Sequence, residues 1–175
     1  WIGSARQILG SLLMRFRWLK KYFTHAWVAG PYQLEFAVRM GFSKRNIVFN
    51  LLSCDADKFD IRNERIFDNA IERPHQFLYV GNFRSVKGTD ILVEAFKIYR
   101  NKYRGKWNLV CIGNGDLEAL IKDAPAIIRL PFSGVDELVN YAKNSSAFIM
   151  PSRHDQWGVA VHEFALAGLP LILSE

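Results

Sequence analysis

Residues 77–103 begin Phe77-Leu78-Tyr79-Val80-Gly81, pass through the turn Asn82-Phe83-Arg84-Ser85-Val86-Lys87-Gly88, and continue into the helix-length segment Thr89–Tyr103. A short apolar run, a glycine-bracketed turn and an amphipathic segment make one strand-loop-helix unit. The same unit recurs downstream. Trp107–Gly113, Ile127–Leu130, Ala147–Met150 and Leu169–Leu173 read as strands, and Asp116–Lys122, Val135–Lys143 and Val159–Ala167 read as helices. Most of the strands are near-continuous hydrophobic runs, as expected where helices cover both faces of a parallel sheet. The alternation predicts an open, doubly wound, Rossmann-like α/β domain. Ligands bind such sheets at the carboxyl ends of the strands, so chemistry is expected in the strand-to-helix loops.

Upstream, His25–Ala29 reads as a strand, Pro31–Met40 as a helix opened by proline, and Asn46–Phe49 as another strand. Residues 51–74 turn polar and charged, which places a domain boundary near residue 70. The expected organisation is therefore residues 1–70 as the end of a preceding domain with its linker, and residues 71–175 as a ligand-binding domain. The abrupt start at Trp1, and the strand-like end at Leu171-Ile172-Leu173-Ser174-Glu175, lead us to expect a fragment of a longer chain.

The 175 residues are 50% hydrophobic and 23% charged, an ordinary globular balance. No run of about 18 uninterrupted apolar residues offers a membrane span. Two lone cysteines, Cys54 and Cys111, fit a reducing compartment and suggest neither a disulfide framework nor a metal site, so a cytoplasmic location is expected. The net charge of +6 is concentrated early, because residues 1–34 carry Arg6, Arg15, Arg17, Lys20 and Lys21 and no acid. Leu12, Phe16, Leu19 and Phe23 recur at helical spacing, with Arg17 and Lys21 opposite. Such a helix can lie peripherally on an anionic inner membrane face through residues 4–23; it can equally pack its stripe on a neighbouring sheet. Nucleic acid is not an expected partner.

Three loops carry the candidate chemistry. In Gly81–Gly88, glycines bracket Arg84 and Lys87 ahead of a helix, an arrangement that suits a phosphate group as well as it suits a solvated basic turn. Gly113-Asn114-Gly115-Asp116 resembles a dinucleotide fingerprint but has Glu118 where the third glycine belongs, so it fails as a nicotinamide motif. The third loop, Pro151-Ser152-Arg153-His154-Asp155-Gln156-Trp157-Gly158, leads into Val159-Ala160-Val161-His162-Glu163. It sets Asp155 in the loop and Glu163 about one turn into the helix. Unpaired backbone N–H groups near Gly158 are expected to point into the same cleft. Carboxylates accept from hydroxyls while exposed N–H groups attract anions, so the segment suits a ligand with sugar at one end and phosphate at the other. A glycosidase pair is disfavoured, because one loop-helix segment is an unusual source for two carboxyls flanking a bond. An N-cap region followed by a surface glutamate is the plainer reading. His154 and His162 lie beside acids, but they make no ligand cluster, and no metal is expected.

Taken together, Tyr79-Val80-Gly81, Lys87-Gly88, Gly113-Asn114-Gly115 and Pro151-Ser152 leading into Asp155 through Glu163 resemble the C-terminal domain of glycosyltransferase family four, the group 1 enzymes. Those are retaining enzymes of the two-domain GT-B type. The resemblance covers residues 77–175 in register, while residues 25–60 resemble the end of the family's N-terminal, acceptor-side domain. It implies a hexosyltransferase that moves sugar from a nucleoside-diphosphate-sugar donor to an acceptor hydroxyl on a glycan or lipid-linked acceptor, in polysaccharide synthesis and without a metal or other cofactor. Glu163 would hydrogen-bond the ribose, and Asp155 would face the hydroxyls of the transferred sugar. Lys87 would neutralise the departing diphosphate. The backbone around Trp157 and Gly158 would support sugar and diphosphate, Gly81, Gly113 and Gly115 would let the backbone approach the donor, and Leu130 through Phe132 would line the base.

Two positions depart from the family pattern. Asn82 stands where arginine is usual, with Arg84 two residues on, and Asp155 is one methylene shorter than the usual glutamate. A GT-B nucleotide-sugar epimerase, which shares the fold, stays open as an alternative, and these departures keep open a catalytically inactive nucleotide-binding module.

Overall fold

In the computed structural model, which describes residues 5–14, 21–49, 53–64, 74–155 and 157–174, the chain divides between Ser53 and Cys54 into two units. In the first unit, helix α1 (Ala5–Leu13) leaves Ile8, Leu9, Leu12 and Leu13 exposed. Of the stretch read as a basic amphipathic helix, Phe16, Arg17 and Leu19 fall outside the described residues. Strand β1 (Ala26–Val28), helix α2 (Pro31–Arg39) and strand β2 (Ile47–Phe49) then make one right-sized parallel crossover, with Trp27 opposite Val48. Pro31 starts α2 where its missing N–H has no helical partner to lose.

The second unit opens on the short helix α3 (Ala56–Phe59), capped by the Asp55 carboxylate accepting from the Lys58 N–H at 3.3 Å. Strands β3 (Gln76–Val80), β4 (Asn108–Ile112), β5 (Ile127–Leu130), β6 (Ala147–Met150) and β7 (Leu171–Leu173) form a fully parallel sheet in the order β5-β4-β3-β6-β7. Between them run helices α4 (Thr89–Asn101), α5 (Glu118–Lys122), α6 (Val135–Lys143) and α7 (Val159–Leu166). The chain winds outward from β3 to β5, then returns to the other side of β3 to place β6 and β7. The reversal lies between β3 and β6, the position where open α/β sheets form a crevice at their carboxyl edge.

The core explains the apolar runs. Leu78, Tyr79, Leu109, Cys111, Ile121, Phe148 and Phe164 are completely or almost completely buried. Burial pushes the Cys111 thiol well above its ordinary range, so it behaves as a small apolar side chain. Two elements, α5 and β7, begin a full two residues later than the sequence suggests. The turn at Asp116-Leu117 delays α5 because the Leu117 N–H donates to the Phe83 carbonyl at 3.0 Å, and Gly168 at φ 78° followed by Pro170 delays β7.

The sequence places the domain boundary near residue 70, whereas the units part between Ser53 and Cys54. The reason is packing. Phe59 and Ile61 are buried in the second unit's core, where Phe59 meets Phe164 edge-on at 5.8 Å and Phe164 stacks on Phe148 at 4.4 Å. Lys58 adds an ion pair to Asp136 on α6. Polar composition made 54–64 look like linker, although two apolar residues tie it down. Phe164 thus joins α3, α7 and the sheet. Phe164→Ala is expected to cost roughly 3–5 kcal/mol in urea denaturation, against less than about 1 for truncation of the exposed Ile172.

Candidate functional site

The three strand-to-helix loops read from the sequence meet at the carboxyl edge of the second unit's sheet, and backbone contact holds them there. Gly88 is in the left-handed region at φ 68°, and a Cβ on it would stand 1.8 Å from the Pro151 carbonyl oxygen. Gly113, at φ 148°, lies against Gly81, where a Cβ would meet the carbonyl oxygen at 2.1 Å. Gly115 lies as closely against Phe83. The Phe83 N–H donates to the Asn114 carbonyl at 2.9 Å, and the Gly113 N–H donates to the Leu130 carbonyl at 3.1 Å. These close approaches, more than any need to touch a ligand, account for the glycines.

Arg153 reinforces the seam from the third loop. Its guanidinium forks onto the Asp90 carboxylate at 2.6 and 2.7 Å and donates to the Ser85 hydroxyl at 3.1 Å and to the Ser85 carbonyl. Arg153 and His154 also donate their backbone N–H groups to the Val86 carbonyl at 3.0 and 3.2 Å. The short helical turn Ser85–Lys87 is thereby clamped from one side by Arg153 and from the other by Gly88. Facing Arg153 holds the Asp90 carboxyl down at about 2.

Lys87 emerges from that clamped turn. Its Nζ lies 2.6 Å from Asp155 Oδ2, and the pair is three-quarters shielded from solvent. Asp155 Oδ1 accepts the backbone N–H of Gly158 at 3.0 Å and that of Trp157 at 3.3 Å. Although burial alone would raise it, the Lys87 ammonium and these two N–H groups leave the Asp155 carboxyl below its ordinary value. The expected unpaired N–H groups at Trp157 and Gly158 are therefore engaged, because the side chain two and three residues earlier folds back to cap them. Farther in, the N–H groups of Val159 and Ala160 have no acceptor among the described residues, so the positive end of α7 stays open. Glu163 sits half-buried on α7. Its carboxyl is pushed up, first by burial and then by the neighbouring Asp55 carboxylate, and no donor pairs with it among the described residues.

Other candidate residues play plainer parts. Asn82 contributes its carbonyl, which accepts from the Tyr79 hydroxyl at 3.0 Å and the Arg84 N–H at 2.9 Å, while its side chain is exposed. Arg84 pairs with Asp116 across the first and second loops at 3.6 Å, so it does not share a partner with Lys87. Phe132 is 76% exposed beyond β5, and Leu130 is half-buried at the strand's end. The Trp157 ring packs on His162 at 5.5 Å, and its Nε1 is buried without an acceptor. Arg129 was not singled out from sequence. It reaches from β5 to the Asn114 side chain at 2.8 Å and to Glu118 at 3.1 Å, fixing the second loop. Arg153 and Asp90 were missed as well, since their pairing spans 63 positions. Among the described residues no group of three or more His, Cys, Asp or Glu side chains is placed to hold a metal ion.

The family model for glycosyl transferases group 1 matches residues 60–175, a span that includes all three loops. The chain belongs to that family. A curated relative, an uncharacterized 41.2 kDa protein in the cps region of Klebsiella pneumoniae, is 29% identical over 145 residues, covering 81% of this chain and 40% of the relative. Among solved structures, the lipopolysaccharide outer core galactosyltransferase WaaB superposes with a TM-score of 0.60 at 22% identity, over 87% of this chain and 43% of WaaB. HepE of Anabaena, in complex with UDP and glucose, gives 0.65 at 13% identity, over 97% of this chain and 50% of HepE. The pneumococcal O-GlcNAc transferase GtfA, in complex with UDP and GlcNAc, gives 0.63 at 17% identity, over 89% of this chain and 31% of GtfA. At these identities the likeness establishes the fold, which is GT-B. The group 1 chain described here spans half or less of each of these relatives.

The Asp90–Arg153 clamp titrates with a definite sign. An acid whose folded value is depressed lends stability above its unfolded value, near 4, that is lost as pH falls through about 2. Asp90→Asn is therefore expected to be less stable than wild type at pH 7. The gap between the two should narrow as pH falls from 4 towards 2 in urea titrations, and a pH-independent gap would contradict the clamp.

Proposed function

We propose that the second unit binds a nucleoside-diphosphate-sugar donor and serves a retaining transfer of its sugar to an acceptor hydroxyl during polysaccharide or lipopolysaccharide synthesis. One observation carries the reading. Lys87 is held by Asp155, whose carboxylate also caps the start of α7, and the same helix carries Glu163 half-buried and without a donor among the described residues. Cation and helix end suit the diphosphate. The carboxylate suits a vicinal ribose diol, because an ionised acid accepts from both hydroxyls at once.

The chemistry asked of this half is electrostatic. As the bond between the anomeric carbon and the diphosphate oxygen breaks, charge grows on the leaving diphosphate, and Lys87 and the α7 N–H groups are fixed in place before that happens. The acceptor oxygen bonds to the anomeric carbon on the face that the leaving group vacates and gives its proton to the departing diphosphate, so configuration is kept. Family membership, a relative from a cps region, and fold neighbours whose structures hold UDP all support this donor class. The resemblance to glycosyltransferase family four supports the retaining course and a transfer that needs no metal.

A thermal-shift panel of UDP, GDP and ADP, each with and without EDTA, tests the reading. One nucleotide is expected to raise the melting temperature, and EDTA is expected to leave the rise intact; no response to any nucleotide at millimolar concentration would sink it. Glu163→Gln should weaken the responding nucleotide by about 1–3 kcal/mol, because the amide's NH2 edge cannot accept the second ribose hydroxyl and the charge-assisted bonds are lost. Without nucleotide the same change should stabilise the chain at pH 7. An acid raised in the fold is destabilising once ionised, so that gain should shrink as pH falls through the raised folded value and be gone below the ordinary glutamate value.

A further inference from the structure

We infer that Asp155 is a positioning residue for Lys87, acting on the diphosphate through the lysine rather than receiving the hydroxyls of the transferred sugar. The inference rests on the donor-site reading and departs from the role that resemblance assigns to this position. Its ground is an acceptor count. An ionised carboxylate has about four acceptor positions, and three protein donors already occupy Asp155: Lys87 Nζ at 2.6 Å, the Gly158 N–H at 3.0 Å and the Trp157 N–H at 3.3 Å. A sugar hydroxyl would have to displace a charge-assisted bond or compete for what remains. A carboxylate that takes vicinal sugar hydroxyls offers them one oxygen each, and both Asp155 oxygens already hold protein donors.

The side chain's length explains why this chain differs. An aspartate in this loop folds back within two and three residues onto Trp157 and Gly158, the reach of a helix cap. One more methylene would carry the carboxylate outward past those N–H groups. Held inward, the carboxylate turns Lys87 towards the N-terminal end of α7, where the open N–H groups of Val159 and Ala160 stand. The ammonium keeps further N–H donors beyond the one given to Asp155. Its charge is shared between the carboxylate and whatever anion sits at the helix end. The clamped turn below Lys87, gripped by Arg153 and Gly88, fixes the backbone of the lysine, and Asp155 fixes its tip.

Three readings of Asp155 then separate by ligand. If it acts through Lys87, its removal alters binding as soon as a second phosphate is present, and a sugar adds nothing further. If it contacts sugar, only the sugar-bearing ligand responds. If it merely caps the helix, all ligands respond alike. The experiment is calorimetric titration of wild type, Asp155→Asn, Lys87→Ala and the double variant with nucleoside monophosphate, diphosphate and diphosphate-glucose, using the base that wild type prefers among uracil, guanine and adenine. Asparagine keeps the acceptor for the Trp157 and Gly158 N–H groups, so the helix cap survives, and urea midpoints verify it.

Asp155→Asn is expected to lower the ratio of diphosphate to monophosphate affinity by about threefold or more, because the tip of Lys87 is no longer held at the start of α7. The ratio of diphosphate-glucose to diphosphate should stay unchanged, and Asp155→Asn should have no effect on either ratio once Lys87 is alanine. An effect confined to the glucose-bearing ligand, an equal effect on all three, or one that persists in the Lys87→Ala background would overturn the inference. Failure of wild type to bind any of the nucleotides would instead remove the donor-site reading, and this inference with it.

Discussion

The contact between the Gly88 backbone and the Pro151 carbonyl oxygen sets the geometry on which the rest of the site depends. A single Cβ there would fall 1.8 Å from the oxygen, so the first loop can approach the third only with glycine at this position. That approach brings Lys87 within reach of Asp155, lets Arg153 grip Ser85 and Asp90, and closes the floor of the crevice between β3 and β6. The sheet order supplies the crevice, but backbone proximity decides which side chains meet in it. Gly113 against Gly81 and Gly115 against Phe83 repeat the device one strand over, so the three loops form one continuous rim.

Placed on this rim, a few charges do distinct work. Arg153 and Asp90 lock the third loop to the first turn of α4, so their pairing is structural. Lys87 and Asp155 are an ion pair with one end left available, as expected of a group that must accept a second, transient partner. Glu163 is the opposite case. Its carboxyl is half-buried, pushed towards the neutral form and unpaired among the described residues, a cost the fold would shed if the residue had no ligand to meet. No donor among the described residues offsets that cost, whereas the ribose of the proposed donor would.

The sequence carried the architecture because strands and their covering helices announce themselves locally. Val135–Lys143 and Ala147–Met150 fall where periodicity puts them, and the parallel order follows from the alternation. The domain boundary did not show locally, since Phe59 in a polar segment gains its meaning from Phe164, far along the chain. The site was legible as loops and as residue types, not as pairings. Nothing near Arg153 points to Asp90, and nothing near Arg129 points to Asn114 and Glu118, because each bond crosses between strand-helix units. The occupied N–H groups at Trp157 and Gly158 were likewise hidden, for a capping aspartate and a ligand-facing aspartate are the same letter in a sequence.

The account's central claim is that a nucleoside diphosphate sits at the β3–β6 reversal, against Lys87 and the start of α7. The most direct test is a crystal structure of the chain grown with the nucleoside diphosphate that binds it. The account predicts the terminal phosphate within hydrogen-bond distance of Lys87 Nζ and of the Val159 or Ala160 N–H, with the ribose hydroxyls on Glu163. A nucleotide bound elsewhere on the sheet edge, with Glu163 facing solvent, would contradict it.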